Sequence, residues 1–136
     1  MNKLDVSTLL LRIVLGISFF IHGLVKFQGG IGNIVGWFDS IGLPGFFAYV
    51  VATLELVGGL ALILGLGTRV VSALFVALLV GAILKVKLAI GFIGTPEAGA
   101  GYELDLLFLV IALFLALNGS KLWSLDQVLF NKKATK

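Results

Sequence analysis

The sequence predicts an all-α integral membrane protein: a bundle of four spanning helices, with short interfacial helices in the first outer loop and after the fourth span. Composition is the first reason. Sixty per cent of the 136 residues are hydrophobic and only 12 % are charged, with a mean hydropathy of +1.15, whereas a soluble domain carries about 25 % charged residues. The second is the length of the apolar runs. Residues 6–27, 46–66, 69–91 and 102–119 each approach the roughly 20 residues that a helix needs to cross a hydrocarbon core about 30 Å thick. These spans leave no room for a second domain, so residues 1–136 are expected to form a single transmembrane domain with a tail over 120–136.

The first run, 6–27, is too long for a cleavable signal peptide and is not followed by a small-x-small site and a polar chain, so it is expected to persist as a span. At about 100° per residue, Arg12, Gly16, Phe19, His22, Gly23 and Lys26 fall within an arc of about 120°. The glycines let a neighbouring helix approach, and the polar groups point into the same seam. The loop QGGIGNIVGWFDSIGLPG mixes glycines with Ile34, Val35, Trp37, Phe38 and Ile41, which predicts a short interfacial helix or turn. Gly42, Pro44 and Gly45 then turn the chain into the second span.

In that second span Ala48, Ala52, Glu55, Gly59 and Leu62 recur at helical spacing and form a mostly small-residue face. A carboxylate at this depth must be protonated or paired, and His22, Lys26, Lys85 and Arg12 are its candidate partners. The third span carries Lys85 and Lys87, about 200° apart, so only one faces the seam squarely while the other snorkels. Lys85 shares its side with Gly81 and is preferred. The fourth span opens with Glu103 and Asp105, and Asp105 aligns with Ala112, Ala116 and Gly119. Beyond it, KLWSLDQVLF offers Ser124 as an N-cap with Gln127 at capping-box spacing and Trp123 as an interfacial anchor, which predicts a short surface helix.

Charge orients the chain. Both termini share a side with Lys3, Arg69, Lys121, Lys132, Lys133 and Lys136, whereas the opposite connections, 28–45 and 92–101, hold only Asp39 and Glu97. The positive-inside rule therefore predicts cytoplasmic termini. The net charge of +3 reflects this asymmetry, and without basic residues interleaved with aromatics there is no nucleic-acid surface.

The chain has no cysteine and one histidine. Thiol redox chemistry and iron–sulfur ligation are thereby excluded, as are bis-histidine haem and a His-based zinc centre within one chain. No metal is expected, and a redox cofactor would be noncovalent or belong to a partner. An ionisable side chain inside a span costs at least about 2.5–3.5 kcal/mol, so such groups normally face the bundle interior and serve a function. The plainer reading is that Glu55, His22, Lys26 and Arg12 make interhelical ion pairs that fix packing and register.

The ordered set of Arg12, Gly16, Phe20 and His22-Gly23-x-x-Lys26, then Gly42-x-Pro44, then Glu55-x-x-Gly58-Gly59 with Gly65 and Thr68-Arg69, then Glu103, then Gly119 with Ser124-Leu125-Asp126, resembles the DoxX family over nearly the whole chain. The runs IHGLVKF and GWFDSIGLPGF are similar to small Gram-positive members linked to catechol or quinone stress. The resemblance implies a four-helix protein of the bacterial inner membrane, an oxidoreductase or redox-complex subunit in stress defence or detoxification. It implies a noncovalent quinone or catechol-type ligand, with His22, Lys26 and Glu55 as the catalytic proton donors and hydrogen-bond partners. Arg12, Phe19, Lys85, Glu103 and Asp105 are then expected to line the ligand site. The family favours Glu103 as the acid of the fourth helix, where periodicity prefers Asp105. Some relatives carry a histidine late in the third helix where this chain has Lys85 and Lys87. A redox partner protein is implied. The other function class is a non-enzymatic assembly partner or a small proton-coupled transporter, for which four spans favour a homodimer.

Overall fold

Helix α1 (Lys3–Gln28) starts where the Asn2 side chain accepts the Asp5 N–H at 2.7 Å, with Asp5 in the first turn and Lys26 in the last, charges that complement the helix dipole. These features come from a computed structural model that describes residues 2–96, 99–120 and 124–130. After Gly29, Gly30 at φ +95° opens α2 (Ile31–Ser40), the short helix that the first outer loop predicts. Phe38 of α2 is buried and Trp37 exposed, the two-sided character of a helix lying at an interface. Gly42 at φ +85° turns the chain into α3 (Phe46–Leu64), which ends at Gly65 in the left-handed conformation, φ +74°. The Leu66 N–H returns to Ala61 O at 2.8 Å and the Gly65 N–H to Leu62 O at 3.1 Å, the two bonds of a Schellman cap.

Helix α4 (Thr68–Ala82) runs through a π-helical turn, Ile83–Lys87, into the short α5 (Leu88–Ile90). A two-rung antiparallel hairpin follows, β1 (Gly94–Thr95) on β2 (Gly99–Ala100), pairing Gly94 with Ala100 and Thr95 with Gly99. It leads into α6 (Glu103–Asn118) and then α7 (Leu125–Phe130). The carbonyls of Ile93, Gly91 and Phe92 accept the N–H groups of Gly101, Tyr102 and Glu103 at 3.1, 3.0 and 2.9 Å, so the entry to α6 is satisfied by backbone rather than by a side-chain cap. Among the described residues, three helices are long and apolar enough to cross a membrane, Lys3–Gln28, Phe46–Leu64 and Thr68–Val86. Helix α6 covers 16 residues, about 24 Å of rise, slightly less than the predicted 102–119.

The chain divides into two units. In the first, α1 packs against α3, with α2 against both and α7 in the same unit. The outward side of α1 is a stripe of Leu10, Val14, Ile17, Ile21 and Val25, all exposed, which suits a lipid solvent. In the second unit α4 packs on α6. Thr68, Ser72, Phe75 and Leu79 form the buried stripe of α4, Ala112 and Leu115 that of α6. Arg69 donates to Asn118 O at 3.3 Å, placing a cation at the C-terminus of α6. The fold is an all-α membrane protein. Trp123, Glu97 and the cationic tail 131–136, which carry parts of the topology argument, lie outside the described residues, as does Lys121.

Candidate functional site

The geometry of the site follows from how closely α1 and α3 approach. A methyl group on Gly16 would fall 2.8 Å from Gly59 O and 3.0 Å from Ile63 N, and one on Gly23 would fall 2.8 Å from Leu56 Cα and 2.9 Å from Ala52 O. As numbers rise along α1 they fall along α3, so the helices are antiparallel, and the backbones touch where the glycines remove side chains. This register places Glu55 at about the level of His22.

Lys26, one turn further along, nevertheless reaches Glu55. Side chains lean toward the N-terminus of their own helix. Lys26 therefore leans back toward the level of Glu55, and in the antiparallel partner Glu55 leans toward the level of Lys26. The Lys26 ammonium donates to Glu55 Oε1 in an ion pair between the two helices. Glu55 is enclosed, its side chain 7 % exposed, whereas Lys26 retains 25 %. An ammonium carries three donors, so one serves Glu55 and the remaining two can serve another acceptor on the open side. Glu55 is thus the buried member of the pair and Lys26 the more exposed one.

The other predicted residues separate into three groups. Phe19, two turns before Lys26, is 2 % exposed and packs in the same seam. His22 is exposed. It sits at one edge of the predicted polar arc, whereas the buried set Thr8, Leu9, Arg12, Leu15, Gly16, Phe19 and Gly23 centres about 80° away by the 100° step of the helix. Arg12 is fully buried but lies fourteen residues before Lys26, about 21 Å along the axis, so the two cations do not share a small ligand. Lys85, Glu103 and Asp105 belong to the second unit. Lys85 in the π turn and Gly81 in α4 are both exposed, so the side these two share is an outward one. Glu103, preferred from the family pattern, is exposed, while Asp105 is half-buried and its Oδ2 is out of contact with solvent. Periodicity named the more enclosed acid. Glu103 is the first residue of α6, its N–H held by Phe92 O at 2.9 Å.

From the sequence, Ser124 is an expected N-cap and part of the Ser124-Leu125-Asp126 run, with no site role assigned to it. Its capping role holds, because Ser124 Oγ accepts the Gln127 N–H at 3.1 Å. Ser124 is also 3 % exposed and lies against Gly65 and Arg12. The Ser124-x-Asp126 pattern was the only available signal, and it does not reveal a partner at residue 12.

The DoxX family model matches residues 7–88, which include Arg12, His22, Lys26, Glu55 and Lys85. The chain belongs to the DoxX family. A Bacillus subtilis relative named "Putative oxidoreductase CatD" is 48 % identical over 134 residues, covering 98 % of this chain and 95 % of its own. An uncharacterized membrane protein of Mycobacterium tuberculosis is 34 % identical over 138 residues, covering 95 % of this chain and 84 % of its own. The Escherichia coli inner membrane protein YqjF is 41 % identical over 78 residues, covering 57 % of this chain and 58 % of its own. No solved structure matches. In this DoxX protein the ion pair is built wholly from the family-matched segment, whereas Glu103, Asp105, Ser124 and Asp126 lie beyond it.

Proposed function

We propose that this DoxX protein is an oxidoreductase subunit of the bacterial inner membrane that binds a quinone or catechol-type compound beside the Lys26–Glu55 pair, in the detoxification of such compounds. The observation that carries the reading is the unequal burial of that pair, an enclosed glutamate side chain against a partly exposed lysine side chain. A neutral lipid-soluble ligand with carbonyl or hydroxyl oxygens fits an ammonium with two donors to spare. The relative named as an oxidoreductase supports the reaction class.

Reduction of a quinone to a quinol adds two electrons and two protons. The chain has no cysteine and a single histidine, so the electrons are assigned to a noncovalently held cofactor or to a partner protein that carries its own redox group. Lys26 would meet the oxygen on which negative charge develops and stabilise it, with Glu55 holding the ammonium in place. Protons would enter from water by way of Lys26 and the exposed His22. The charge asymmetry of the connections supports cytoplasmic termini, which puts Lys26, near the end of α1, in the outer half of the membrane.

The test is binding of a short-chain quinone and of a catechol to the purified protein in nanodiscs, comparing wild type with His22→Ala, Lys26→Met and Glu55→Gln. Saturable wild-type binding, weakened at least tenfold in folded Lys26→Met, is the expected outcome. A folded wild type that binds neither compound would overturn the reading and favour an assembly or transport role.

A further inference from the structure

Three distant parts of the chain meet at the end of α3. A methyl group on Gly65 would fall 2.5 Å from Ser124 Cβ, 2.6 Å from Ser124 Cα and 2.8 Å from Arg12 Nη1. The start of the C-terminal segment and the Arg12 guanidinium therefore both lie against the bare Cα of the α3 cap. Gly65 O accepts the Asp126 N–H at 3.1 Å, tying the first turn of α7 to that cap. Arg12 is fully buried and Ser124 nearly so, and Asp126, whose backbone is tied to Gly65, brings a negative charge close enough to favour the charged guanidinium.

We propose that Arg12, Gly65, Ser124 and Asp126 form a latch that fastens α7 across the end of the α1–α3 pair, and that Arg12 serves this latch rather than a ligand. The dependence is mutual. An enclosed guanidinium is costly without an opposing charge, and Asp126 supplies one. Helix α7 has six residues, too few to hold its shape alone, so it depends on Ser124 as its cap and on the tie to Gly65 and Arg12. The strap is therefore docked with Arg12 covered or released with Arg12 uncovered, and the two events occur together. Glycine at position 65 meets two demands at once, since the position has φ +74° and no side chain fits between α3 and the strap.

The absence of cysteine from the sequence makes a single-cysteine reporter clean. Full-length Ser124→Cys protein in nanodiscs is treated with a water-soluble maleimide, with Val128→Cys, whose site is 59 % exposed, as the fast reference. Ser124→Cys alone is expected to react at least tenfold more slowly than the reference. Adding Asp126→Asn is expected to raise its rate at least tenfold, adding Arg12→Gln to do the same, and both together to give no further rise. Asp126→Asn leaves α1 and α3 untouched and decides the matter where Arg12→Gln fails to fold. A rate unchanged within twofold by Asp126→Asn would overturn the latch. Quinone binding is a separate readout. Its loss in a folded Arg12→Gln protein whose strap remains docked would return Arg12 to the ligand.

Discussion

The unequal burial of Lys26 and Glu55 predicts unequal single substitutions. In Lys26→Met the Glu55 carboxylate, 7 % exposed, loses its ion-pair partner inside a helix–helix contact. Removing one member of a buried pair costs about 3–5 kcal/mol. In Glu55→Gln the remaining lysine, its side chain 25 % exposed, sits in the last turn of α1, where a flexible stem can carry the ammonium to the interface. That loss resembles a surface pair, about 1 kcal/mol. The two single substitutions should thus differ by about 2–4 kcal/mol, and the double substitution should be more stable than Lys26→Met alone because no charge is left enclosed. Helicity followed through an SDS titration in mixed micelles measures all four proteins. Equal single effects that add in the double would show that neither charge depends on the other, and the division into a buried and a more exposed member would fall.

Gly59→Val should force the helices apart. The added Cβ would run into the Phe20 backbone nitrogen and lie 2.6 Å from Gly16 O, against ordinary contact from 3.4 Å, so a shift of more than about 0.8 Å is required, at a cost of about 1–3 kcal/mol, read as a lower unfolding midpoint in detergent. Ser124→Ala removes the acceptor for the Gln127 N–H and should cost about 1 kcal/mol, seen as faster hydrogen exchange confined to α7. Arg69→Gln gives up the bond to Asn118 O and should cost about 0.5–1.5 kcal/mol, with faster exchange in the last turn of α6 and none in α1.

Elements governed by local periodicity were legible in the sequence. Ala48, Ala52, Glu55, Gly59 and Leu62, read as one face from spacing alone, are all buried on α3, because a regular helix converts spacing directly into direction. The α2 helix and the Ser124 cap were legible for the same reason, since each depends on neighbours within a few residues. Features that depend on departures from regularity were hidden. The π turn at Ile83–Lys87 carries no compositional mark, so the exposure of Lys85 was not visible. His22 fell inside the predicted arc, but an arc of about 120° spans both the centre of a contact and its flank. The partner of Glu55 was open among four cations until the antiparallel register and the lean of the side chains selected Lys26. The latch joins residues 12, 65, 124 and 126, and nothing in their local sequence encodes that meeting.

The glycine contacts between α1 and α3 also determine which motions the pair can make. Gly16 and Gly23 are seven residues apart on one helix, Ala52 and Gly59 seven apart on the other, a spacing of about 10.5 Å. A slide of one helical turn would drive Phe19 or Leu56 into the opposing backbone, so the helices interlock like a rack and pinion with the teeth removed at two places only. Axial gliding is therefore opposed by the loss of these close contacts, and tilting or joint travel of the two helices keeps them. A signal arriving at either end, whether a ligand at Lys26 or a displaced strap at Arg12, would then be felt about 21 Å away without any internal rearrangement of the pair.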